Sequence, residues 1–441
     1  MFSISSFIFV IILLSSVFLF YRNVKKIIRN INLGKDGLTF SDTKKRWKNV
    51  LFIAFGQSKM FKKPLVALLH LVVYLGFVII NIEVIEIILD GIFGSHRILS
   101  FIVPLPLYNV LIASFEILAL LVLIACVIFL IRRNVLKIKR FLNSEMKGWP
   151  TLDANLILIF EILLMSAFLI MNAADFILQK EEVEHYHSAG FFPVSSVIST
   201  LIDDLPINSL IFIERFFWWF HIIGILVFLN YLVISKHLHI LLAFPNTYYA
   251  NINPKGQFNN MDSVTSEVKM MLYPNEDSFS QPSNSTTPSR FGVKDATDLT
   301  WLQLLNSYSC TECGRCTSEC PANVTGKKLS PRKIMMDVRD RIEEVGEGID
   351  KNGKDFDDGK SLLNDFITPE EIWACTSCNA CVEACPLSID PLSIILDLRR
   401  YLVMEESAAP SELNSVFSNI ENNGAPWQFS AADRLKWKED E

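Results

Sequence analysis

Apolar residues come in five long runs along the first half of the chain, and polar residues dominate the second half. The runs lie near residues 2–21, 64–89, 107–131, 154–178 and 209–234. Each approaches the length of about 20 apolar residues that a helix needs to cross a bilayer. We therefore predict three parts, which are a membrane domain at 1–244, a linker at 245–300 and a soluble domain at 301–441.

Charges between the runs predict the orientation. Residues 22–63 hold twelve Lys and Arg against two acids, and residues 132–150 hold six against one. Residues 179–208 instead hold one Lys against five acids. Because basic loops stay in the cytoplasm, the five spans are predicted to run from an outer N-terminus to an inner C-terminus across the cell's cytoplasmic (inner) membrane. The first run has no basic leader and no cleavage site, so it is interpreted as a retained helix.

Eight of the nine cysteines form a repeat in the soluble half. The stretch CTECGRCTSECP holds Cys310, Cys313, Cys316 and Cys320, and the stretch CTSCNACVEACP holds Cys375, Cys378, Cys381 and Cys385. Each set of four precedes a proline, and this spacing is that of bacterial ferredoxins, in which the fourth cysteine binds the other cluster. Zinc, the alternative, is usually held by two well-separated Cys pairs. A reducing cytoplasm disfavours disulfides.

The spacing therefore predicts two [4Fe-4S] clusters with crossed ligands. One cluster takes Cys310, Cys313, Cys316 and Cys385. The other cluster takes Cys375, Cys378, Cys381 and Cys320.

The segments around the cysteines are predicted to be helical. Ser330 and Pro331 are suited to cap and begin one helix, and Thr368 with Glu371 forms a capping box for another. Val, Ile and Thr do not alternate nearby as they would in strands. The predicted fold class is therefore all-α, a five-helix transmembrane bundle followed by an α-helical ferredoxin domain. Residues 278–289 are predicted to be an exposed loop, and the acidic insert EEVGEGIDKNGKDFDDGK is interpreted as a surface loop or partner contact.

On these motifs, residues 295–440 resemble the helical ferredoxin module of the heterodisulfide-reductase C subunit. They are similar as well to the anaerobic glycerol-3-phosphate dehydrogenase C subunit and the succinate dehydrogenase iron–sulfur subunit. Many such relatives continue into Cys-Cys-Gly domains that perform disulfide or hydroxy-acid chemistry, and this sequence has no Cys-Cys-Gly. The resemblance implies an oxidoreductase subunit whose catalysis belongs to a cytoplasmic partner, with Cys-Cys-Gly domains or a flavin.

Histidines mark the membrane half. His70 lies in the second run and His221 in the fifth, and His239 follows His221 by 18 residues. On one continuous helix those 18 residues make about five turns, so His221 and His239 would share a face, whereas His237 would lie about 160° away from His221. Paired transmembrane histidines can bind heme b, and the alternative is hydrogen bonding within the bundle. The remaining histidines, which fall in outer loops and are expected to be solvated, are His96, His185 and His187.

Five spans with this histidine pair resemble the gamma subunit of respiratory nitrate reductase and the membrane subunit of heterodisulfide reductase. The resemblance implies a heme b between His70 and His239 on the cytoplasmic side. Ile80 stands where the nitrate reductase family has its second histidine, so a second heme at His221 is left open.

We therefore predict an electron-transfer subunit that connects the membrane quinone pool, through heme b, with a cytoplasmic catalytic partner through two [4Fe-4S] clusters. A heme-free quinone-interacting iron–sulfur subunit is the alternative, and a cluster-based sensor would not need the histidines. The net charge of -6 and the lack of a basic, aromatic-rich patch give no sign of a nucleic-acid partner. The sequence leaves open the direction of electron flow and the terminal substrate.

Overall fold

A computed structural model of the chain describes residues 4–36, 38–254, 256–273 and 290–439. All regular elements in these ranges are helices, with only isolated β-bridges beside them. The first nine α-helices are α1 (Ile4–Ile31), α2 (Thr43–Asn49), α3 (Pro64–Phe93), α4 (Leu105–Leu130), α5 (Trp149–Lys180), α6 (Ser195–Ser199), α7 (Ile207–Leu232), α8 (His239–Tyr249) and α9 (Asp262–Leu272). The next eight are α10 (Trp301–Ser309), α11 (Arg315–Ser318), α12 (Pro321–Val324), α13 (Pro331–Asn352), α14 (Pro369–Trp373), α15 (Ala380–Ala384), α16 (Pro391–Met404) and α17 (Ser411–Asn423). The all-α prediction is confirmed.

Five of these helices, α1, α3, α4, α5 and α7, are long and apolar enough to cross a membrane. They match the five predicted runs, and α1, α3 and α5 extend several residues beyond theirs. Helix α5, with its 32 residues, is about 48 Å long at 1.5 Å per residue. Large apolar side chains cover much of the outer surface of these helices, as expected of a lipid-facing bundle.

The bundle is packed around α5, which contacts both α4 and α7. Its core contains the fully buried side chains Ile112, Phe115, Phe168 and Ile222. Helices α3 and α4 come close at Gly76, where a Cβ atom would lie 2.4 Å from a methyl carbon of Val122. Small residues permit such close approach in membrane bundles.

The predicted continuous helix through His221 and His239 is wrong, because α7 ends at Leu232 and α8 begins at His239. Between them Ser235 adopts an extended conformation, and a short 3-10 turn follows. The Ser235 hydroxyl accepts a hydrogen bond from the His237 amide, and Asp153 on α5 accepts one from the Lys236 amide. In a continuous helix these two amides would instead donate to carbonyl oxygens of the preceding turn.

The soluble half forms a second core around α10, α13 and α16, with Leu304, Ile334, Ile342 and Leu398 fully buried. The capping predictions are confirmed, since Ser330 accepts from the Lys333 amide and Thr368 forms a reciprocal box with Glu371. The acidic insert differs from its prediction, because its first part, up to Asn352, is helical as the end of α13. The predicted loop at 278–289 lies outside the described residues.

The soluble half rests directly on one end of the bundle. Asn30 of α1 donates to the Tyr308 hydroxyl over 3.0 Å, and Arg332 of α13 donates to Glu145 over 2.7 Å. Asn246 of α8 donates to the Leu387 carbonyl over 2.7 Å. The predicted boundary at 244 falls inside α8, which packs against α10. The cysteine loops are thereby held against the membrane helices.

Candidate cofactor-binding site

The structure brings the eight cysteines of the repeat into two groups. Electrostatic interaction links the thiol of Cys316 most strongly with those of Cys310, Cys313 and Cys385, and more weakly with that of Cys381. The thiol of Cys381 interacts in the same way with Cys375 and Cys320, and Cys375 interacts with Cys378. Each group therefore combines three cysteines of one loop with the fourth cysteine of the other.

The two cysteine loops share one backbone pattern. Residues on either side of the second cysteine have positive φ in both loops, namely Glu312 (53°) and Gly314 (70°) in the first, and Ser377 (55°) and Asn379 (59°) in the second. Left-handed residues reverse the chain within a few positions. At Gly314 a Cβ atom would lie 2.4 Å from a guanidinium nitrogen of Arg332, so the Arg332 side chain would have to shift to accept one.

Burial shapes the chemistry of the thiols. It raises the pKa of Cys310 to about 12 and that of Cys385 to about 11. Free thiols at these positions are therefore neutral near pH 7, and a metal that binds them must displace their protons. Among the residues that the structure describes, no three His, Cys, Asp or Glu side chains are placed to hold a single metal ion.

A cavity of about 530 Å³ extends from the bundle interior to the first cysteine loop. Its lining includes the four histidines of the spans and the following turn, which are His70, His221, His237 and His239. Cys313 and Thr311 line the same cavity. The structure therefore places the candidate heme ligands and a candidate cluster ligand around one space.

Three of the histidines are held through the same ring nitrogen. The Nδ1 atom of His70 lies 3.1 Å from the side-chain oxygen of Gln57. The Nδ1 atoms of His221 and His239 each lie 3.0 Å from a carbonyl oxygen, of Leu164 and Lys236 respectively. Because oxygen acceptors of this kind require a proton on Nδ1, each Nε2 keeps a free lone pair. Metal-binding histidines are commonly oriented in this way.

His237 belongs to the same cavity, although helical periodicity placed it on the opposite face from His221. The 3-10 turn that interrupts the helix carries it next to His239, with ring centroids 5.6 Å apart, and against Phe228. Burial lowers the pKa of His237 to about 3 and lowers that of His239 as well. Both rings are therefore neutral at physiological pH and able to donate a lone pair.

A buried ionic contact joins the 3-10 turn that carries His237 to the first cysteine loop. Lys236 pairs with Glu312, and Arg339 of α13 donates to the other oxygen of Glu312 over 2.7 Å. Burial opposes the charged form of Glu312, but Arg339 and Lys236 together hold its pKa below the usual range. The sequence analysis did not predict a role for Glu312. Its position between Cys310 and Cys313, inside the cysteine loop, is the one feature of the sequence that could have drawn attention to it.

Comparison with known proteins agrees with the cysteine chemistry. Residues 309–389 match the family described as a 4Fe-4S dicluster domain. This match favours iron–sulfur clusters over the zinc alternative.

The chain is also similar to longer curated proteins. It is 28% identical to the probable iron-sulfur-binding oxidoreductase FadF of Bacillus subtilis, over 99% of this chain and 61% of the relative. It is 26% identical to the EtfAB:quinone oxidoreductase of Syntrophomonas wolfei, over 89% of this chain and 53% of the relative. The chain thus spans between half and two thirds of the length of these two relatives.

The soluble half has its own relatives. Over 24% of the chain it is 35% identical to the C subunit of the ferredoxin/F(420)H(2)-dependent CoB-CoM heterodisulfide reductase of Methanosarcina acetivorans, with 52% of that protein covered. No solved structure matches the chain. The resemblance of the soluble half to the heterodisulfide-reductase C subunit is confirmed. The resemblances of the membrane half to the nitrate reductase gamma subunit and to the heterodisulfide-reductase membrane subunit stay predictions. The chain therefore carries a 4Fe-4S dicluster domain on five helices of membrane-spanning length and is related to iron–sulfur electron-transfer oxidoreductases.

Proposed function

We propose that the chain exchanges electrons between the membrane quinone pool and a catalytic partner, with one heme b and two [4Fe-4S] clusters as its cofactors. The observation that carries this proposal is the cavity that His70, His237 and His239 share with Cys313. The side that meets the partner faces the cytoplasm, because the cysteine domain, which is the soluble half at 301–441, rests on the basic loops at 22–63 and 132–150.

The donor sets fit these cofactors. The two groups of four thiols match the ligand number of two [4Fe-4S] clusters, with Cys385 and Cys320 exchanged between the loops. His70 and His239 are the proposed heme ligands, since each presents a free Nε2 lone pair to the cavity. When bound, such centres accept and release single electrons.

Basic side chains stand at the end of the cavity nearest the cysteines, where a heme's carboxylates would need cations. Arg132, Arg133 and Arg140 line this end. Guanidinium groups pair well with carboxylates because of their fixed donor geometry. They support the assignment of this end of the cavity to the heme.

The deeper part of the cavity is suited to a quinone. It is lined mainly by apolar side chains, with Tyr74, Asn81, Glu161 and His221 among its polar groups. A quinone ring needs such apolar walls together with a few groups that hydrogen-bond its carbonyl oxygens. The name of the Syntrophomonas relative, which refers to a quinone oxidoreductase, agrees with this assignment. Ile80, at the position of the second histidine in the nitrate reductase family, lines the cavity together with His221. Because Ile80 cannot bind a heme iron opposite His221, we propose one heme.

Optical spectroscopy and metal analysis of the purified full chain test this function. We expect about eight cluster irons and about one heme b per chain, from two [4Fe-4S] clusters and one bis-histidine site. A quinol added to the oxidised protein should reduce the b-type α band. Zinc in place of iron would contradict the cluster proposal. Clusters without any b-type band would leave the heme-free alternative.

A further inference from the structure

Acidic side chains are buried at the end of the bundle remote from the cysteines. Each of the six is at most 8% exposed, and they are Glu83, Glu86, Asp90, Glu116, Asp175 and Glu214. Ionisable groups within a membrane bundle are costly and usually serve a function. These six form a cluster that the cofactor sites do not use.

Five of the six acids have hydrogen-bond donors. Glu86 accepts from the Leu99 amide and the Tyr108 hydroxyl, and Asp175 accepts from Arg97 and His96. Asp90, Glu116 and Glu214 each accept from backbone amides or neighbouring side chains. Glu83 differs, because its Oε2 atom is buried and has no hydrogen-bond partner within the described part of the chain.

The charges around Glu83 disfavour its ionised form. The groups that face it are one cation, Arg97, and three acids, Glu86, Glu116 and Asp175. Arg97 already pairs with Asp175 over 2.7 Å. A buried carboxylate without a donor or a cation of its own is strongly unfavourable. These surroundings favour the neutral form of Glu83, which carries a proton.

Hydrogen bonds continue from this region to the surface. The Tyr108 hydroxyl links Glu86 to Arg97, with contacts of 3.1 and 3.5 Å. Asp175 lies 2.8 Å from His96 Nε2, and His96 Nδ1 lies 3.3 Å from His187 Nδ1. His187 is only half-buried, whereas His96 is buried, so the prediction that His96 is solvated is wrong.

Glu83 lies on α3 among residues that line the quinone end of the cavity, although it is not itself part of the lining. Its neighbours on α3, Ile80, Asn81 and Val84, line that cavity. Glu86 follows one helical turn later on the same face, and residues three apart on a helix have Cβ atoms about 5–6 Å apart. Glu83 thus stands between the cavity and the hydrogen-bonded chain.

We propose that Glu83 is the inner end of a proton path from the quinone cavity, through Glu86, Tyr108, the Arg97–Asp175 pair and His96, to His187 on the face remote from the cysteine domain. This inference rests on the proposed quinone chemistry. A quinol that gives up two electrons must also release two protons. For each proton, Glu83 passes its own proton towards Glu86 and takes the next one from the cavity. Quinone reduction runs both transfers in reverse.

Purified full chain in liposomes, with the cysteine domain outward and a pH dye inside, tests the path. A short-chain naphthoquinol is the electron donor and external ferricyanide the acceptor. E83Q should slow quinol oxidation at least about tenfold and reduce acidification of the lumen, as expected when a proton-transfer group is lost, without changing the heme and cluster spectra. E83D should recover part of the rate. E214Q is the matched control, because Glu214 is buried at the same end but pairs with Tyr186 and Arg215 outside the path, and it should keep the wild-type rate.

Infrared spectroscopy gives a readout that does not depend on quinone turnover. The resting wild-type protein should show a protonated carboxyl band that E83Q lacks and E214Q retains. If E83Q keeps both that band and a rate within about twofold of wild type, well short of the loss expected for a proton-transfer group, the proton path is refuted while the proposed function stands. If the wild-type protein itself fails to oxidise the quinol, the proposed function is refuted and the path with it.

Discussion

At the scale of single residues, the histidines of the cavity differ in how their rings are held. His239 is fixed by a 3.0 Å contact between its Nδ1 atom and the Lys236 carbonyl, whereas the ring of His237 packs on Phe228. We expect H239A to lose the heme and H237A to retain it, because an anchored ring presents its Nε2 in one direction. Heme content per polypeptide, measured by optical spectroscopy, checks this. Loss in H237A with retention in H239A would reverse the assignment.

Gln57 supports the other proposed ligand. It is buried, and its side-chain oxygen lies 3.1 Å from the His70 Nδ1 atom. Since loss of such a supporting contact typically costs about 10–100-fold in affinity for the metal, Q57L should release heme more easily during purification or dilution. Q57E, which keeps the acceptor, is the control and should hold the heme. Equal heme affinity in Q57L and wild type would exclude a role for Gln57.

At the scale of elements, the two cysteine loops with α11 and α15 act as interlocked halves. We expect C385S and C316S, which lie in different loops, to disturb the same cluster, and C320S to disturb the other together with C378S. The reason is the crossed grouping of the thiols. Electron paramagnetic resonance of the reduced variants distinguishes the two clusters. If C385S instead altered the same signal as C378S, the crossed assignment would be wrong.

The helices also show what a sequence can predict. The five spans and the caps at Ser330 and Thr368 follow from local patterns, because hydrophobic length and capping act within a few residues. The end of α7 does not, since it depends on Asp153, 83 positions away from Lys236 along the chain. For this reason helical periodicity alone misplaces His237. The buried positions of His96 and Glu312 likewise depend on partners brought together only by folding.

At the scale of the whole molecule, the cysteine domain is joined to the bundle by ion pairs and hydrogen bonds spread over its surface. Arg29 pairs with Asp350 at one side, and Lys62 donates to Glu383 over 2.7 Å at another. Between them, Arg332 is fully buried against Glu145 and the Arg140 carbonyl. Exposed pairs contribute little, about 0–1 kcal/mol each, so the shielded contacts Arg332–Glu145 and Lys236–Glu312 should dominate the electrostatic part of docking.

The Glu145 contact predicts that acid loosens the docked domain. Burial opposes ionisation of Glu145, but hydrogen bonds from Arg332 and Ser330 outweigh it and hold the pKa of this carboxyl below its usual value. A carboxyl with a lowered pKa stabilises the docked state fully above its ordinary pKa, and this stabilisation is lost as the pH falls through the lowered value. Hydrogen exchange of the loop at 139–148 should therefore accelerate, at matched intrinsic rate, as the pH drops below about 4.5.

Substitution at Glu145 separates this contact from general acid unfolding. E145Q removes the titrating group, so its exchange should be faster than wild type near pH 7 and should change less on acidification. R332A leaves the partly buried Glu145 without its cation and should expose the same loop more strongly. K62A, which breaks an exposed pair, is the matched control and should resemble wild type. If E145Q kept the full acid response of wild type, the pH dependence of docking would have to arise at another contact.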